Sequence, residues 1–220
     1  MLRPVVAETP VRDRRAKATR ARIAETALDL FVSQGYAETT FDQIASAAEV
    51  GRRTIFRHFP TKEAILFDHL VVRRDAALQL LREWPPAEPP LVSLHAVLRE
   101  LCEEGYDRRA LSQIRAVLAA NPLIAGEQFA GGLAFERHLV ATLQTRHGEQ
   151  WSLLELDALT RMALSWLDTA CNVYFKEGRR SLVRCFDETV AICLQSVTDD
   201  LGRSLRKASS AKRRATRTRR

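Results

Sequence analysis

The chain has little of what most function classes require. Its 220 residues include only nine glycines and eight prolines, and alternating runs of β-branched residues are nearly absent. A sheet-based fold is therefore not expected. The four cysteines, Cys102, Cys171, Cys185 and Cys193, have no CxxC spacing and lie in apolar helical contexts, so reduced core thiols are expected. No apolar run of about 18 residues is present, which excludes a predicted membrane helix. The polar, basic N-terminus lacks the apolar core of a secretion signal, so a cytosolic protein is expected. There is no Gly-rich phosphate loop, GxSxG or HExxH. The five histidines, His58, His69, His95, His138 and His147, are scattered at no ligand spacing, and neither a metal nor a cofactor is implied. Cys102 and His95 lie two helical turns apart, about 10 Å along one face and too far for direct activation. An enzyme is not expected.

What the chain does have is apolar content, 46% of its residues, in helical periodicity, so the expected class is all-α. Net charge is +7 but unevenly spread: residues 203–220 hold nine Lys/Arg and no acid, residues 1–62 are net basic, and residues 63–202 are net acidic. Parts of the molecule should meet a polyanion. Residues 1–12 read as an arm. A helix is expected from Asp13 through Val32, with Ile23, Ala27, Leu30 and Phe31 on one face and Gly35 in the left-handed C′ position. Thr40-Phe41-Asp42-Gln43 matches a capping box for a second helix with Ile44, Ala45 and Ala48 inside. A third helix runs from Arg52 to about Phe59. Thr61 caps a fourth, read as one helix to Trp84. Helices are then expected at about 91–104, 106–120, 122–146, 151–177 and 181–202, broken at Gly105, Asn121-Pro122, Gly148 and Gly178.

Three short helices with a tight second turn, over residues 13–61, describe a helix-turn-helix unit. The second helix of that motif enters the major groove with its N-terminal residues foremost. Here these are Arg52, Arg53 and Thr54, and arginine is the favoured reader of guanine. Ile55 and Phe59 would face the core. Arg57 points outward, and His58, Lys62 and Thr40 stand where a backbone phosphate would pass. Arg12, Arg14, Arg15, Lys17 and Arg20 are further candidates for a neighbouring groove or backbone.

Residues 20–66, through "RIAETALDLFVSQGYAETTFDQIASAAEV" and "TIFRHFPTKEAIL", resemble the DNA-binding domain of the TetR family of transcriptional regulators. The resemblance implies phosphate contacts at Thr40, His58 and Lys62, base contacts at Arg52 and Arg53, and Thr54 and Arg57 beside the groove. Three residues depart from the family pattern. Glu49 stands where glycine is usual, at a cost of about 1 kcal/mol if left-handed. Phe56 replaces a common tyrosine, and Arg53 a common glycine or alanine, pointing to a G·C-rich site. The resemblance also implies a ligand-binding and dimerisation domain over 62–202. Its last two helices would pair with those of a second copy, with Leu182, Cys185, Phe186, Thr189, Ile192 and Cys193 as the apolar stripe.

Residues 115–148 resemble the subgroup with an acyl-CoA-like ligand-binding domain, which implies a large amphipathic effector. Candidate wall residues are Leu98, Cys102, Ile114, Leu118, Phe129, Phe135, Trp166 and Ala170. Arg115 and Gln128 would meet a polar headgroup or pair at the surface. Gly131-Gly132 marks a kink, a ligand approach or a tight crossing. The basic tail is expected to be disordered, either solvated or a DNA-grasping arm. The expected partners are double-stranded operator DNA, a second copy and a small effector, with no membrane. The rival reading is an architectural DNA-binding protein driven by the tail. In the regulator reading the ligand shifts the fourth helix, 62–84, and with it the spacing of two reading helices.

Overall fold

A computed structural model describes residues 11–103, 107–178 and 181–196. The basic tail, the break at Gly105, residues 197–202 and most of the expected arm lie outside the described residues. Residues 11 and 12 open the first helix. The described chain is helical: α1 (Val11–Gln34), α2 (Phe41–Ala47), α3 (Arg52–His58), α4 (Lys62–Leu66), α5 (Asp68–Glu83), α6 (Pro90–Glu103), α7 (Arg108–Ala120), α8 (Pro122–His147), α9 (Leu153–Glu177) and α10 (Leu182–Ser196). The all-α expectation holds.

The chain divides into two compact units: one takes in residues 11–79 and 107–138, the other residues 80–103 and the described residues from 139 onward. The helix-turn-helix therefore shares its unit with α7 and the larger part of α8, up to His138, and the division does not fall at residue 61. Asp29 of α1 accepts hydrogen bonds from Arg109 at 2.7 Å and Gln113 at 2.6 Å on α7. Those bonds help join α7 to the first helix.

In this N-terminal unit the buried face of α1 is Ile23, Ala24, Ala27, Leu28 and Phe31. Leu30, expected on that face, is half-buried, and Leu28 takes its place. Ile44, Ile55, Phe59, Ile65 and Leu66 complete a fully buried core. At roughly 1.5–3 kcal/mol per large side chain removed from water, they hold the short helices, which would not persist alone. Gly35 ends α1 at φ 96°, a conformation in which a Cβ is strained. The expected single helix 62–84 is interrupted at Phe67, where Leu70 turns back to the Phe67 carbonyl at 3.0 Å. Asp68, just beyond, is buried.

In the other unit, the bundle unit, α6, α9 and α10 pack together. Leu94, Val97 and Leu98 of α6, Leu156, Ala163, Trp166 and Ala170 of α9, and Leu182, Cys185 and Phe186 of α10 are buried. Arg99 grips Asp187 with two parallel bonds of 2.9 and 3.1 Å, tying α6 to α10. The hydrogen bonds raise the Arg99 pKa above its usual value. Thr160 and Thr189, buried in this apolar setting, donate to the carbonyls of Leu156 and Cys185, so neither hydroxyl is orphaned.

The stripe expected for pairing with a second copy is largely occupied within the chain. Leu182, Cys185, Phe186 and Thr189 are buried without any partner chain, while Ile192 is 65% exposed and Cys193 half-buried. Helical periodicity reports which side is apolar, not whose core it joins. All four cysteines are thiols, Cys102 and Cys185 buried and the other two half-buried. Among the described residues, no helix is long and apolar enough to cross a membrane.

Candidate nucleic-acid interface

The site starts with the cap of α2. Thr40 is extended and its hydroxyl accepts from the Gln43 amide at 3.3 Å, while the Gln43 side chain accepts from the Thr40 amide at 2.7 Å. Both halves of the capping box are present, and Thr40 is exposed. At the other end, the Val50 amide reaches the Ala45 carbonyl and the Glu49 amide the Ser46 carbonyl, at 3.0 and 3.2 Å. This is the Schellman arrangement, normally completed by glycine. Glu49 occupies it at φ 52°. The turn between α2 and α3 is held left-handed with a side chain in the strained position.

That turn delivers Gly51 as the N-cap of α3. Ile55 and Phe59 are fully buried, as expected, and anchor the helix. Arg52, Arg53 and Arg57 are exposed, and Thr54 is half-buried. The Arg52 Nη1 donates to Asp42 of α2 at 3.2 Å, and its guanidinium lies 5.7 Å from the centre of the Phe56 ring. Phe56 is itself exposed and meets Phe41 with ring centres 4.7 Å apart and the planes tilted by 37°.

Two expected DNA contacts have other partners. Lys62 sends its ammonium to the carbonyls of Tyr36 at 2.8 Å, Thr39 at 3.0 Å and Ala37 at 3.3 Å, over the Tyr36 ring at 4.7 Å. An ammonium has three N–H donors, so each is already directed at the turn before α2. Beside it the Tyr36 hydroxyl donates to Glu63 at 2.6 Å. Burial and that carboxylate push the Tyr36 pKa upward. Burial alone would raise the Glu63 carboxyl, but hydrogen bonds from Tyr36, its own backbone and Thr61, with the Lys62 charge, bring it below its usual value. The Thr39 hydroxyl, buried, donates to the Gly35 carbonyl at 2.7 Å.

His58 is half-buried and its Nε2 is buried without a hydrogen-bond partner. Burial, then the charges of Arg57 and Arg20, hold its pKa below the usual imidazole value, against an opposing pull from Asp68. Arg20 does not reach toward a groove. Its Nε and Nη2 meet the buried Asp68 at 2.8 and 2.6 Å, its Nη1 donates to the His58 carbonyl at 3.0 Å, and it stacks on Phe59 at 4.4 Å. One arginine thus ties α1 to the end of α3 and the start of α5. Tyr36, Thr39, Glu63, Arg20 and Asp68 position the site without having been singled out as its supports. Apart from the Thr39 hydroxyl, which turns back to Gly35, their partners lie far along the sequence, where local patterns carry no signal.

The eight candidate ligand residues fall in both units. Ile114 and Phe135 in the N-terminal unit and Leu98, Cys102, Trp166 and Ala170 in the bundle unit are buried, and Leu118 is half-buried. Phe129 is 70% exposed on α8 and is no wall residue here, because the start of α8 carries apolar side chains on more than one face. Arg115 is exposed and Gln128 half-buried. At Gly131 a Cβ would meet the end of the flexible Arg74 side chain at 2.9 Å, a close approach by a side chain of α5. A described cleft of about 540 Å³ in the bundle unit lies between residues 86–89 and 144–151, and none of the eight lines it.

A short capped helix, a left-handed turn and an exposed arginine helix anchored from behind form a helix-turn-helix, a motif built to enter a DNA groove. Comparison with known proteins places this unit beside one family. Residues 23–68 match the model of the bacterial regulatory proteins, tetR family, so this part of the chain is similar to the DNA-binding domain of that family. The regulator TcmR of Streptomyces glaucescens is 30% identical over 145 residues, 63% of this chain and 64% of that protein. RutR of Escherichia coli K12 is 30% identical over 129 residues, 58% of this chain and 61% of that protein. The chain thus spans less than two thirds of the length of the curated relatives it matches. In structure, NalD of Pseudomonas aeruginosa superposes with a TM-score of 0.58 at 17% identity, covering 81% of this chain and 96% of NalD. That likeness shows the fold.

Proposed function

We propose that the chain acts as a dimer that reads a two-fold symmetric operator, represses transcription there and is released by a small amphipathic ligand. The observation that carries this reading is the amphipathic division of α3. Arg52, Arg53 and Arg57 are exposed, while Ile55 and Phe59 are buried, so a fixed helix offers movable guanidinium forks. Arg52 and Arg53 would read base edges, with Thr54 and Arg57 beside the groove. Thr40 and His58 would meet phosphate, His58 as a neutral imidazole near pH 7. Lys62 would first have to leave a carbonyl.

Dimerisation is assigned to the outward sides of α9 and α10. Ala158, Arg161, Ser165 and Thr169 on α9, and Glu188, Ala191 and Ile192 on α10, are exposed opposite the buried faces. Two copies would set two reading helices about 34–36 Å apart, one turn of DNA. The likeness of residues 115–148 to the acyl-CoA-like subgroup makes a bulky thioester the first effector candidate. A cytoplasmic location follows from binding DNA.

Selection of random duplex DNA by the purified full chain at about 150 mM salt tests the reading. The expected result is a two-fold symmetric motif, bound by a species that sediments as a dimer. Binding without enrichment would overturn it in favour of an architectural role driven by charge.

A further inference from the structure

The following inference rests on the reading of α3 as the base-reading helix. Two contacts converge on one guanidinium, Asp42 from α2 and the Phe56 ring one turn along α3, and Phe56 in turn packs against Phe41. Asp42 and Arg52 are both largely exposed, their side chains 66% and 63% open. A carboxylate on a face turned to a polyanion repels it, and an open ion pair adds little to stability. Asp42 also sits in the first turn of α2, where a negative charge is favoured. That explains an acid in the turn, but not its alignment with the arginine most able to read a base.

We propose that Asp42 is a specificity-determining residue that acts by positioning Arg52. Arginine has five N–H donors. One goes to Asp42, and the fork that guanine O6 and N7 require needs only two. Asp42 fixes the direction of that fork, and the Phe56 ring, tilted 37° against Phe41, packs beside it. An arginine released from Asp42 samples more rotamers and reaches phosphates as readily as bases. The carboxylate therefore lowers affinity for all DNA and raises discrimination at one base pair.

The test uses the full chain, wild type, Asp42→Asn, Arg52→Ala and the double variant. Each is titrated with the selected operator, with operators altered at single G·C pairs, and with random duplex. Asp42→Asn should bind random duplex about two- to threefold more tightly, because one repulsive charge is gone. It should lose on the order of fivefold discrimination at one G·C pair. Arg52→Ala should lose discrimination at that same pair, and the double variant no more than Arg52→Ala alone. Thermal melts of Asp42→Asn should match wild type, which separates positioning from damage to α2. A uniform shift across all duplexes overturns the proposal, since Asp42 would then act only as a charge. Loss at a pair that Arg52→Ala leaves intact overturns it too. A wild type with no motif instead overturns the base-reading function itself.

Discussion

The two units are held together by different means. The N-terminal unit adds to its apolar core a set of directional polar contacts between residues far apart in sequence: Arg20 with Asp68, Lys62 with three carbonyls, Tyr36 with Glu63. The bundle unit joins α6, α9 and α10 mainly through apolar faces, with Arg99 and Asp187 as a partly exposed tie. Forks and ammonium groups have fixed geometry, and apolar contact is non-directional. The first unit should therefore tolerate few chemical replacements, even conservative ones. The second should tolerate any replacement that keeps shape and apolarity.

Paired substitutions test that contrast. Phe186, fully buried on α10 and stacked on His95 at 5.6 Å, should cost about 4 kcal/mol as Phe186→Ala. Phe186→Leu should cost less than about 1.5 kcal/mol. In the other unit Arg20→Lys keeps charge and length but loses the fork, leaving Asp68 poorly paired at a cost of about 2–3 kcal/mol. Urea denaturation of the three variants measures all of this. A harmless Arg20→Lys beside a crippling Phe186→Leu would reverse the comparison.

Lys62 sharpens it within the DNA-binding unit. Lys62→Met should lower operator affinity about tenfold, through a loosened turn before α2, yet leave the slope of log affinity against log salt unchanged. A direct phosphate contact would instead reduce that slope by about 0.9. Titrations at several salt concentrations decide between the two.

The same division governs what the sequence discloses. Caps and turns are local, so the Thr40–Gln43 box, the left-handed Gly35 and the buried Ile55 and Phe59 were readable from a few adjacent letters. Helix limits were readable too, because α8 and α9 end at His147 and Glu177, next to Gly148 and Gly178. The interruption at Phe67 was not, since the pattern of 62–84 is helical throughout and Asp68 meets an arginine 48 residues away. For the same reason Arg20 and Lys62 read only as DNA contacts, while their partners within the fold were out of view. In the bundle unit periodicity identified the apolar side of α10 correctly but could not say that α6 and α9 cover it. Ligand walls were the least legible, because a buried leucine in a core and one beside a cavity leave the same mark.

Smaller effects follow from buried imidazoles. His58, His69 and His147 each have Nε2 buried without a partner, and burial is the leading cause of a lowered pKa in all three. Nearby charges modify it: Arg57, Arg20 and Asp68 at His58, Asp107, Arg73, Asp68 and Glu25 at His69, Arg146 at His147. The folded state then binds fewer protons than the unfolded state just below the free imidazole pKa of about 6.5. Their contribution is complete above that pH and is lost as pH falls through the depressed values. Urea midpoints should decline from pH 7.5 to 5.5, and His147→Gln should flatten part of the decline. An unchanged slope in that variant would remove His147 from the account.

Glu49 gives the smallest effect and the most local test of how the reading helix is held. Its φ of 52° strains a residue with a Cβ, while the Schellman bonds around it are intact. Glu49→Gly relieves about 1 kcal/mol of strain but adds freedom to the unfolded chain, so the net gain should be roughly 0.5 kcal/mol. Glu49→Asn, which tolerates the left-handed region, should gain similarly, and Glu49→Ala should be near neutral because its Cβ remains. Urea midpoints rank the three. If Glu49→Ala alone destabilises, the carboxylate has a partner in solution and strain is not the controlling factor. If both Glu49→Gly and Glu49→Asn stabilise while the selected DNA motif stays the same, the turn sets where α3 lies and the side chain at position 49 reads nothing.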